Sequence, residues 1–386
     1  MIPLTEFDRA IDRRDPPDSV KWNRYPGDVL PMWIADTDFA VPDAVIAAMG
    51  ERLHHQAFGY SMADHATREA IVAWLAARYD WRVSPADLVF IPGALPGIGM
   101  ALGGLLSPGG GVAMQMPIYR PIHAAPGNWG LERIDALVEP GPDGYGMGDL
   151  EAAIGRARAL VLCNPHNPTG KVYSRDELCR VAAACERHDT LVVSDEVHCD
   201  LVHPGRDHVP IASLSPEIAA RTITLMSAGK TFNLSGLKLG FAVITNENLR
   251  RRFIASHRGM VPRTDSLMGL VATRAAFTHG EAWRRAQVDY LAANSEHLAI
   301  ELPRRLPGIR LIAPQASFLA WLDFSELDLG DDPGAWLLEH ARIGVSGGTE
   351  FGTGGAGHVR LNFGCPRRRL DEAIGRIVLA FERRRP

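Results

Sequence analysis

Short apolar segments alternate with amphipathic segments through the middle of the chain, and this alternation limits the fold more than any other feature. The apolar segments are GVAMQMP (111–117), ALVLCNP (159–165), TLVVSDE (190–196) and TITLMSA (222–228). Stretches with a helical period separate them, such as SRDELCRVAAACERH (174–188). Apolar strands that alternate with helices are typical of a mostly parallel sheet covered by helices on both faces. The sequence therefore predicts an α/β fold.

The length and the changes of pattern along the chain predict two domains and an arm. The chain has 386 residues, which is more than one ordinary core holds. Residues 1–45 show little helical period, and we expect an extended N-terminal arm that belongs to the small domain. Residues 46–274 carry the alternating pattern and predict the large domain. Residues 275–386 combine a long amphipathic helix with strands, which predicts a smaller α+β domain.

The composition gives no electrostatic reason to expect nucleic acid or a membrane as partner. The net charge is −4, with 46% hydrophobic and 22% charged residues. No apolar run reaches the roughly 18 residues of a spanning helix, and the N-terminal segment lacks the pattern of a signal peptide. The five cysteines are irregularly spaced and form no CxxC pair, which favours reduced thiols and a cytoplasmic protein.

Polar or aromatic residues follow the end of each apolar segment, and Lys230 is the most informative of them. The strand-end residues are Tyr119, Asn167, Asp195 and Lys230. Ligands of parallel sheets bind at the carboxyl ends of the strands. Lys230 could be a solvated lysine on a loop, or a partly desolvated amine that forms a Schiff base. In the second case, Ser227 and Lys238 could bind a phosphate group close to that amine.

Asp195, in the motif SDEVHCD, is predicted to be a buried carboxylate, which needs a partner. The ring nitrogen of pyridoxal 5′-phosphate (PLP) would be such a partner, since a carboxylate keeps it protonated. His198 could then hydrogen-bond the phenolic oxygen of the same cofactor. Two alternatives remain open at this point. Asp195-Glu196 could begin an ordinary helix, or a metal could bind a cluster whose spacing matches no zinc pattern, namely His198, Asp200, His203 and His208.

Three further strand-end features each allow a structural and a functional interpretation. Asn167 lies in NPHNPTG, which would form a turn in any protein, but its amide could also reach the phenolic oxygen. Tyr119 could be a core tyrosine or could stack on the pyridine ring. Ala94 and Leu95 follow a glycine at the start of a predicted helix, where free backbone N–H groups can bind phosphate.

Arg360 lies in HVRLNFG, an apolar strand in which a guanidinium needs an anion. The α-carboxylate of a substrate suits its bidentate geometry, while an internal salt bridge with Asp323 or Glu350 is the alternative. The nearby segment 352–357, GTGGAG, satisfies G-x-G-x-x-G but precedes a strand and opens no helix. It therefore predicts a glycine-rich loop on the substrate side, and no dinucleotide site.

Four segments taken together are similar to one known family. They are KWNRYPGDVLPMWIADTDF (21–39), FGY (58–60), SDEVHCD (194–200) and SAGKTFNLSGLK (227–238). The chain resembles the fold-type I PLP-dependent enzymes of the aminotransferase class I/II group, and within it the MalY/PatB-type cystathionine β-lyases. The resemblance runs nearly from end to end. It implies a large domain with a mostly parallel seven-stranded sheet and a smaller α+β domain.

The resemblance also implies a role for each matching residue. Lys230 would be the Schiff-base lysine and general acid/base, Asp195 would pair with the pyridinium nitrogen, and Tyr119 would cover the ring. The other expected cofactor contacts are Ala94, Leu95, Asn167, His198, Ser227 and Lys238. Tyr60 would reach the phosphate of the neighbouring subunit in a homodimer. Arg360 would bind the substrate carboxylate, and Trp33 and Ala35 would border the substrate pocket.

The function implied is a C–S β-lyase that cleaves cystathionine or another S-substituted cysteine to a thiol, pyruvate and ammonia. Transamination, and decarboxylation coupled to deamination, stay open because they share the first steps. Thr37 and the segment 96–99 differ from the pattern of the branch, which leaves room for a specialised cysteine S-conjugate. A PLP-binding regulator is a rival of another class, but it would need a DNA-binding domain, and we expect none here.

Overall fold

The computed structural model describes residues 2–9, 11, 13–15, 17–141, 144–256 and 265–384. Its strands, numbered in chain order, are β1 (Leu30–Pro31), β2 (Leu88–Ile91), β3 (Gly111–Met116), β4 (Glu132–Leu137), β5 (Pro140–Gly141), β6 (Gly144–Tyr145), β7 (Ala159–Cys163), β8 (Leu191–Asp195), β9 (Thr222–Met226), β10 (Gly240–Val243), β11 (Arg310–Leu311), β12 (Leu319–Asp323), β13 (Ile343–Gly344), β14 (Ser346–Gly347) and β15 (His358–Asn362). Its α-helices are α1 (Val20–Asn23), α2 (Asp43–His54), α3 (His65–Tyr79), α4 (Ala94–Leu105), α5 (Arg120–Asn128), α6 (Leu150–Ile154), α7 (Arg175–Arg187), α8 (Pro216–Ala219), α9 (Glu247–Ser256), α10 (Leu267–His279), α11 (Glu281–Arg305), α12 (Pro333–Trp336) and α13 (Arg367–Arg384).

The central sheet has seven strands in the order β2-β10-β9-β8-β7-β3-β4. Strand β10 is antiparallel to both of its neighbours, and the other neighbouring pairs are parallel. The four apolar segments predicted as strands form β3, β7, β8 and β9, which are adjacent in the sheet. Their carboxyl ends therefore lie at one edge. The predicted fold class, a mostly parallel seven-stranded sheet with helices, is confirmed.

Side chains along the central strands alternate between two helical layers, because successive residues of a strand point to opposite faces. Val161 of β7 belongs to a buried cluster with Ile98 of α4 and Phe253 of α9. Its neighbour Leu160 belongs to a second buried cluster, with Leu178 of α7. Both faces of the sheet are thus buried, which explains why its strands are apolar throughout.

A smaller antiparallel sheet follows in the C-terminal part, in the order β11-β12-β15-β14. The segments SFLAWLDF and HVRLNFG, predicted as strands, form β12 and β15. The predicted long amphipathic helix is α11, and it packs with α13 in the buried cluster that contains Leu298, Ile377 and Leu361. Across the described ranges, no helix combines the length and the apolar composition that crossing a membrane requires.

The N-terminal arm is fixed to the C-terminal part by a strand pair and a buried charge network. Strand β1 runs parallel to β13. The carboxylate of Asp38 is fully buried, 3.0 Å from Lys21 Nζ and 2.9 Å from Arg369 Nη1, and it accepts a hydrogen bond from Trp22 Nε1 at 2.9 Å. Charges buried this deeply persist only when they are fully paired. The network ties the residues between Trp22 and Asp38 to α13 of the C-terminal part.

Candidate active site

The carboxyl ends of β3, β7, β8 and β9 bring the predicted residues together. Tyr119 follows β3, and its backbone N–H donates to the carbonyl of Asn167, which follows β7, at 3.2 Å. Asp195 ends β8 and lies in register with Cys163 of β7. Lys230 follows β9 and is near enough to Asp195 for their charges to interact. The four strand-end residues therefore line one edge of the sheet.

Lys230 is not the solvated loop lysine of the alternative interpretation. Its Nζ donates to the carbonyl oxygen of Ala35 at 2.7 Å. Burial lowers the pKa of Lys230 to about 8, and the positive charge of Arg360 contributes in the same direction. The pKa of an unperturbed lysine is about 10.4, so far more of this amine is uncharged at neutral pH. An uncharged amine can act as nucleophile or base.

Asp195 is a buried carboxylate with a weakly satisfied charge. Asp195 is only 7% exposed, and its Oδ1 accepts a hydrogen bond from the backbone N–H of Val197 at 3.3 Å. Burial raises its pKa to about 6, against the lowering effect of that hydrogen bond and of Lys230. Within the described residues no cation forms an ion pair with it. The helix alternative is wrong, because the following helical element is a short 3-10 turn that begins only at Cys199.

The proposed metal cluster is dispersed among other partners. His203 Nε2 contacts the carbonyl of Ser317 at 2.8 Å, and His208 Nε2 contacts Glu196 Oε2 at 2.7 Å. Asp200 accepts a hydrogen bond from Trp74 Nε1 at 3.0 Å. These side chains therefore bind the protein itself, and no group of three or more potential metal ligands occurs in the part of the chain that the structure describes.

His198 remains beside Lys230 as an uncharged imidazole. Burial lowers its pKa to about 3, and the charges of Lys230 and Arg360 lower it further. Its Nδ1 lies 3.0 Å from the hydroxyl of Ser317, and its ring packs edge-on against Phe318. A neutral, fixed imidazole can offer one N–H or one lone pair to a ligand.

Arg360 is a buried cation that lacks an anionic partner among the described residues. It is 3% exposed, and burial lowers its pKa to about 10. Nη1 donates to Asn167 Oδ1 at 2.9 Å and Nη2 donates to the carbonyl of Trp33 at 2.8 Å, while Nε has no partner in that part of the chain. The alternative of an internal salt bridge between Arg360 and Asp323 is wrong, because the Asp323 carboxylate pairs with Arg310. Arg360 thus has the geometry to bind a carboxylate.

Backbone and side-chain donors for a phosphate group lie at the start of α4 and in the segment that follows β9. Helix α4 begins at Ala94, and the N–H groups of Ala94 and Leu95 are free of helical acceptors. Lys238 is exposed and forms no ion pair with any described residue. The hydroxyl of Ser227 donates to the carbonyl of Leu239 at 2.7 Å and accepts from the N–H of Gly229 at 3.0 Å. Its contact with a phosphate stays a prediction.

Comparison with known proteins identifies the family of this chain. The profile of the aminotransferase class I and II family matches residues 28–377. The chain belongs to the aminotransferase class I and II family. Among curated members, the cystathionine beta-lyase PatB of Bacillus subtilis is 34% identical over 97% of this chain and 99% of its own length. The chain therefore falls in the PatB-type branch that the sequence motifs indicated.

Solved structures have the same fold as this chain. Cystalysin from Treponema denticola, whose crystal structure contains a pyridoxal 5′-phosphate cofactor, superimposes with a TM-score of 0.95 at 25% identity, over 100% of both chains. The crystal structure of OvoB gives a TM-score of 0.91 at 42% identity, over 97% of this chain and 98% of that one. These structures support the interpretation of the strand-end residues as a family active site.

The N-terminal arm contributes two carbonyl groups to this candidate site. The carbonyl of Ala35 accepts from Lys230 and that of Trp33 accepts from Arg360. Two residues that the sequence analysis missed hold the arm in place: Ser346 Oγ donates to the Trp33 carbonyl at 3.0 Å, and Asn362 Nδ2 donates to the carbonyl of Asp36 at 2.6 Å. Asn362 could have been found, because it lies two residues after Arg360 on the same face of β15.

The remaining predicted residues lie at the rim of the site. The ring of Tyr119 is 37% exposed, and the Arg360 guanidinium is 5.8 Å from its centroid. The glycine-rich segment 352–357 forms turns, and the N–H of Ile118 donates to Phe351, immediately before it, at 3.0 Å. Tyr60 is 97% exposed, so in a single chain it contacts almost nothing.

Proposed function

We propose that this protein is a PLP-dependent C–S β-lyase that cleaves cystathionine or another S-substituted L-cysteine to a thiol, pyruvate and ammonia. One observation carries the proposal. Lys230, Asp195 and Arg360 are titratable groups that meet at one sheet edge, and none forms an ion pair with a described residue. Two comparisons support the activity: PatB is named a cystathionine beta-lyase, and the cystalysin structure contains PLP.

The side chains present fit PLP at each of its polar groups. Asp195 lacks a cation and suits a protonated ring nitrogen. The start of α4 and the ammonium of Lys238 suit the phosphate. Arg360 donates to the side-chain oxygen of Asn167, and the side-chain NH₂ of Asn167 has no acceptor among the described residues. This NH₂ group, together with His198, suits the phenolic oxygen. The ring of Tyr119 is free to cover the pyridine face.

The residues of this chain divide the work of β-elimination. When bound, PLP supplies an electron sink that stabilises negative charge at Cα of the substrate. Arg360 binds the α-carboxylate and thereby fixes the direction of the Cα–H bond. Lys230, whose pKa of about 8 leaves it partly uncharged, takes the Cα proton. A thiolate then leaves Cβ, and water converts the remainder to pyruvate and ammonia.

A product assay tests this function against transamination. Purified protein loaded with PLP is incubated with S-ethyl-L-cysteine, and pyruvate, ethanethiol, ammonia and pyridoxamine phosphate are measured together. We expect pyruvate and thiol in equal amounts and little pyridoxamine phosphate. Alanine is the control, because it has no leaving group at Cβ and should give no pyruvate beyond slow half-transamination. A 2-oxo acid that retains the thioether would instead indicate an aminotransferase.

We also propose that the active unit is a homodimer in which Tyr60 serves the partner's phosphate site. The support is an exposed apolar segment, since Tyr60 is 97%, Met62 78% and Phe58 56% exposed in one chain. Exposed apolar patches of this kind mark interaction surfaces. The domain limits 1–45, 46–274 and 275–386 are likewise a proposal. The five cysteines are free thiols, which supports a reducing, cytoplasmic location.

A further inference from the structure

An open cleft on the arm adjoins the proposed active site. Its wall consists of Pro17, Asp18, Ser19, Val20, Asn23, Arg24 and Trp33. Trp33 belongs to both the site and the cleft. Its carbonyl accepts a hydrogen bond from Arg360 in the site, and Trp33 also lines the cleft. Trp33 therefore connects the two places, since its carbonyl faces Arg360 and its ring faces Arg24.

Arg24 is the cation of the cleft, and two aromatic rings fix its position. Its guanidinium carbon is 4.3 Å from the ring centroid of Trp33 and 5.5 Å from that of Tyr25. The two rings also contact each other edge to face, with centroids 6.4 Å apart. The Arg24 guanidinium also hydrogen-bonds the Tyr25 side chain. Stacking on the ring faces leaves the remaining N–H groups at the edge of the guanidinium plane available to an anion.

The charge of Arg24 is not neutralised by the described part of the chain. Asp18 lines the same cleft, but no carboxylate of the described residues lies within ion-pair distance of the Arg24 guanidinium. Arg24 also holds its place without an acidic partner, which distinguishes it from the paired arginines of the arm, such as Arg13 with Asp36. A fixed, unpaired guanidinium in a cleft is a receptor for a carboxylate.

Taking the lyase function as given, we propose that Arg24 binds a carboxylate on the S-linked substituent of the substrate, with Trp33 as the platform beneath it. Arg360 holds the α-carboxylate, and Arg24 holds the distal one. The preferred substrate is then a cysteine thioether whose leaving thiol carries a carboxylate group. Loss of the distal carboxylate should weaken capture and leave the chemistry at Cα and Cβ unaltered, since Arg24 touches neither carbon.

A matched pair of substrates tests the proposal. S-(2-carboxyethyl)-L-cysteine and its amide S-(2-carbamoylethyl)-L-cysteine have the same size and differ in charge. In the wild type we expect kcat/KM to favour the acid by about fivefold, the effect of one charge-assisted pair at a solvent-open position. Arg24→Gln should bring the ratio close to one, chiefly through a higher KM for the acid. Arg24→Lys should retain part of the preference.

A control and a second readout separate the possible outcomes. Arg187→Gln removes the same charge from the remote end of α7, and it should keep the wild-type preference. Calorimetric binding of the α-methyl forms of the acid and the amide, which lack the Cα proton, measures capture without turnover. Equal capture of both by the wild type, or an unchanged ratio in Arg24→Gln, overturns the assignment of Arg24. If no thioether yields pyruvate while capture still prefers the acid, the lyase function fails and the Arg24 site stands.

Discussion

Replacement of Arg360 by lysine separates substrate binding from structural support. The guanidinium reaches Asn167 Oδ1 with one nitrogen and the Trp33 carbonyl with another, and its Nε is unpartnered in the described chain. Lysine keeps the positive charge but concentrates it on one nitrogen, so it cannot present two parallel N–H groups to a carboxylate. We therefore expect Arg360→Lys to retain PLP and to capture the substrate poorly.

The magnitude follows from the hydrogen bond that is lost. A hydrogen bond to a charged group contributes about 1.5–3 kcal/mol, which corresponds to a loss of about 10- to 150-fold in kcat/KM. Burial lowers the pKa of Arg360 from 12.5 to about 10, and this shift corresponds to about 3 kcal/mol of cost for the charged form. Arg360→Met removes that cost and leaves Asn167 Oδ1 without its donor, while the Trp33 carbonyl keeps its hydrogen bond from Ser346. We therefore expect the thermal stability of this variant to stay close to that of the wild type.

The assay combines steady-state kinetics on S-ethyl-L-cysteine, PLP titration by absorbance, and thermal unfolding of the PLP-free protein. Large losses of kcat/KM in both variants, with near-normal PLP affinity and unfolding temperature, agree with a substrate-binding Arg360. A structural role would instead lower PLP affinity and unfolding temperature together with activity. That parallel loss in Arg360→Lys would refute the reasoning.

Four other predictions concern the cofactor residues and the assembly. Borohydride treatment of the PLP-loaded protein should leave a pyridoxyl group on the peptide that contains Lys230. A label on another lysine would contradict that assignment. PLP uptake by the cofactor-free protein should accelerate as pH rises and level off above about 8, because burial lowers the pKa of Lys230 and the amine reacts uncharged. A plateau reached only near pH 10 would contradict this second prediction. Asp195→Asn should weaken PLP retention and slow turnover by at least about 100-fold while S-ethyl-L-cysteine binding changes little, because a neutral amide cannot keep the ring nitrogen protonated. Mixing Tyr60→Phe chains with Lys230→Ala chains should restore activity through one intact site per heterodimer, and a fully active monomer would disprove the shared site.

The strand-end residues could be predicted because their positions follow from local pattern. Runs such as TLVVSDE indicate a buried strand, and the residue after a parallel strand must lie at the carboxyl edge of the sheet. Asp195 and Lys230 could therefore be brought together without knowledge of long-range contacts. The same argument predicted Asn167 and Tyr119, although not the hydrogen bond between Asn167 and Arg360.

Contacts between distant parts of the chain could not be predicted in this way. The bonds from Ser346 to the carbonyl of Trp33 and from Asn362 to that of Asp36 join residues more than three hundred positions apart. No local period indicates such pairs, since they depend on how the arm crosses the C-terminal sheet. The arm itself was expected to be extended, whereas α1 forms a short helix whose start is capped by the Ser19 hydroxyl.

The pKa values of the site give a reason why it suits this cofactor and an amino-acid substrate together. Burial moves Lys230, Asp195 and Arg360 toward their neutral forms, to about 8, 6 and 10 respectively, because the site provides few opposite charges of its own. Lys238 adds another cation without an ion-pair partner in the described chain. Lys230, Arg360 and Lys238 outnumber Asp195, and Asp36, the other carboxylate that acts on Lys230, is itself paired with Arg13. A phosphate and a carboxylate would neutralise this excess of positive charge, while a protonated ring nitrogen would neutralise Asp195. Each ligand group thus compensates a buried charge that lacks a counter-ion in the protein without ligands. The binding energy gained in this way is available for orienting the Cα–H bond toward Lys230.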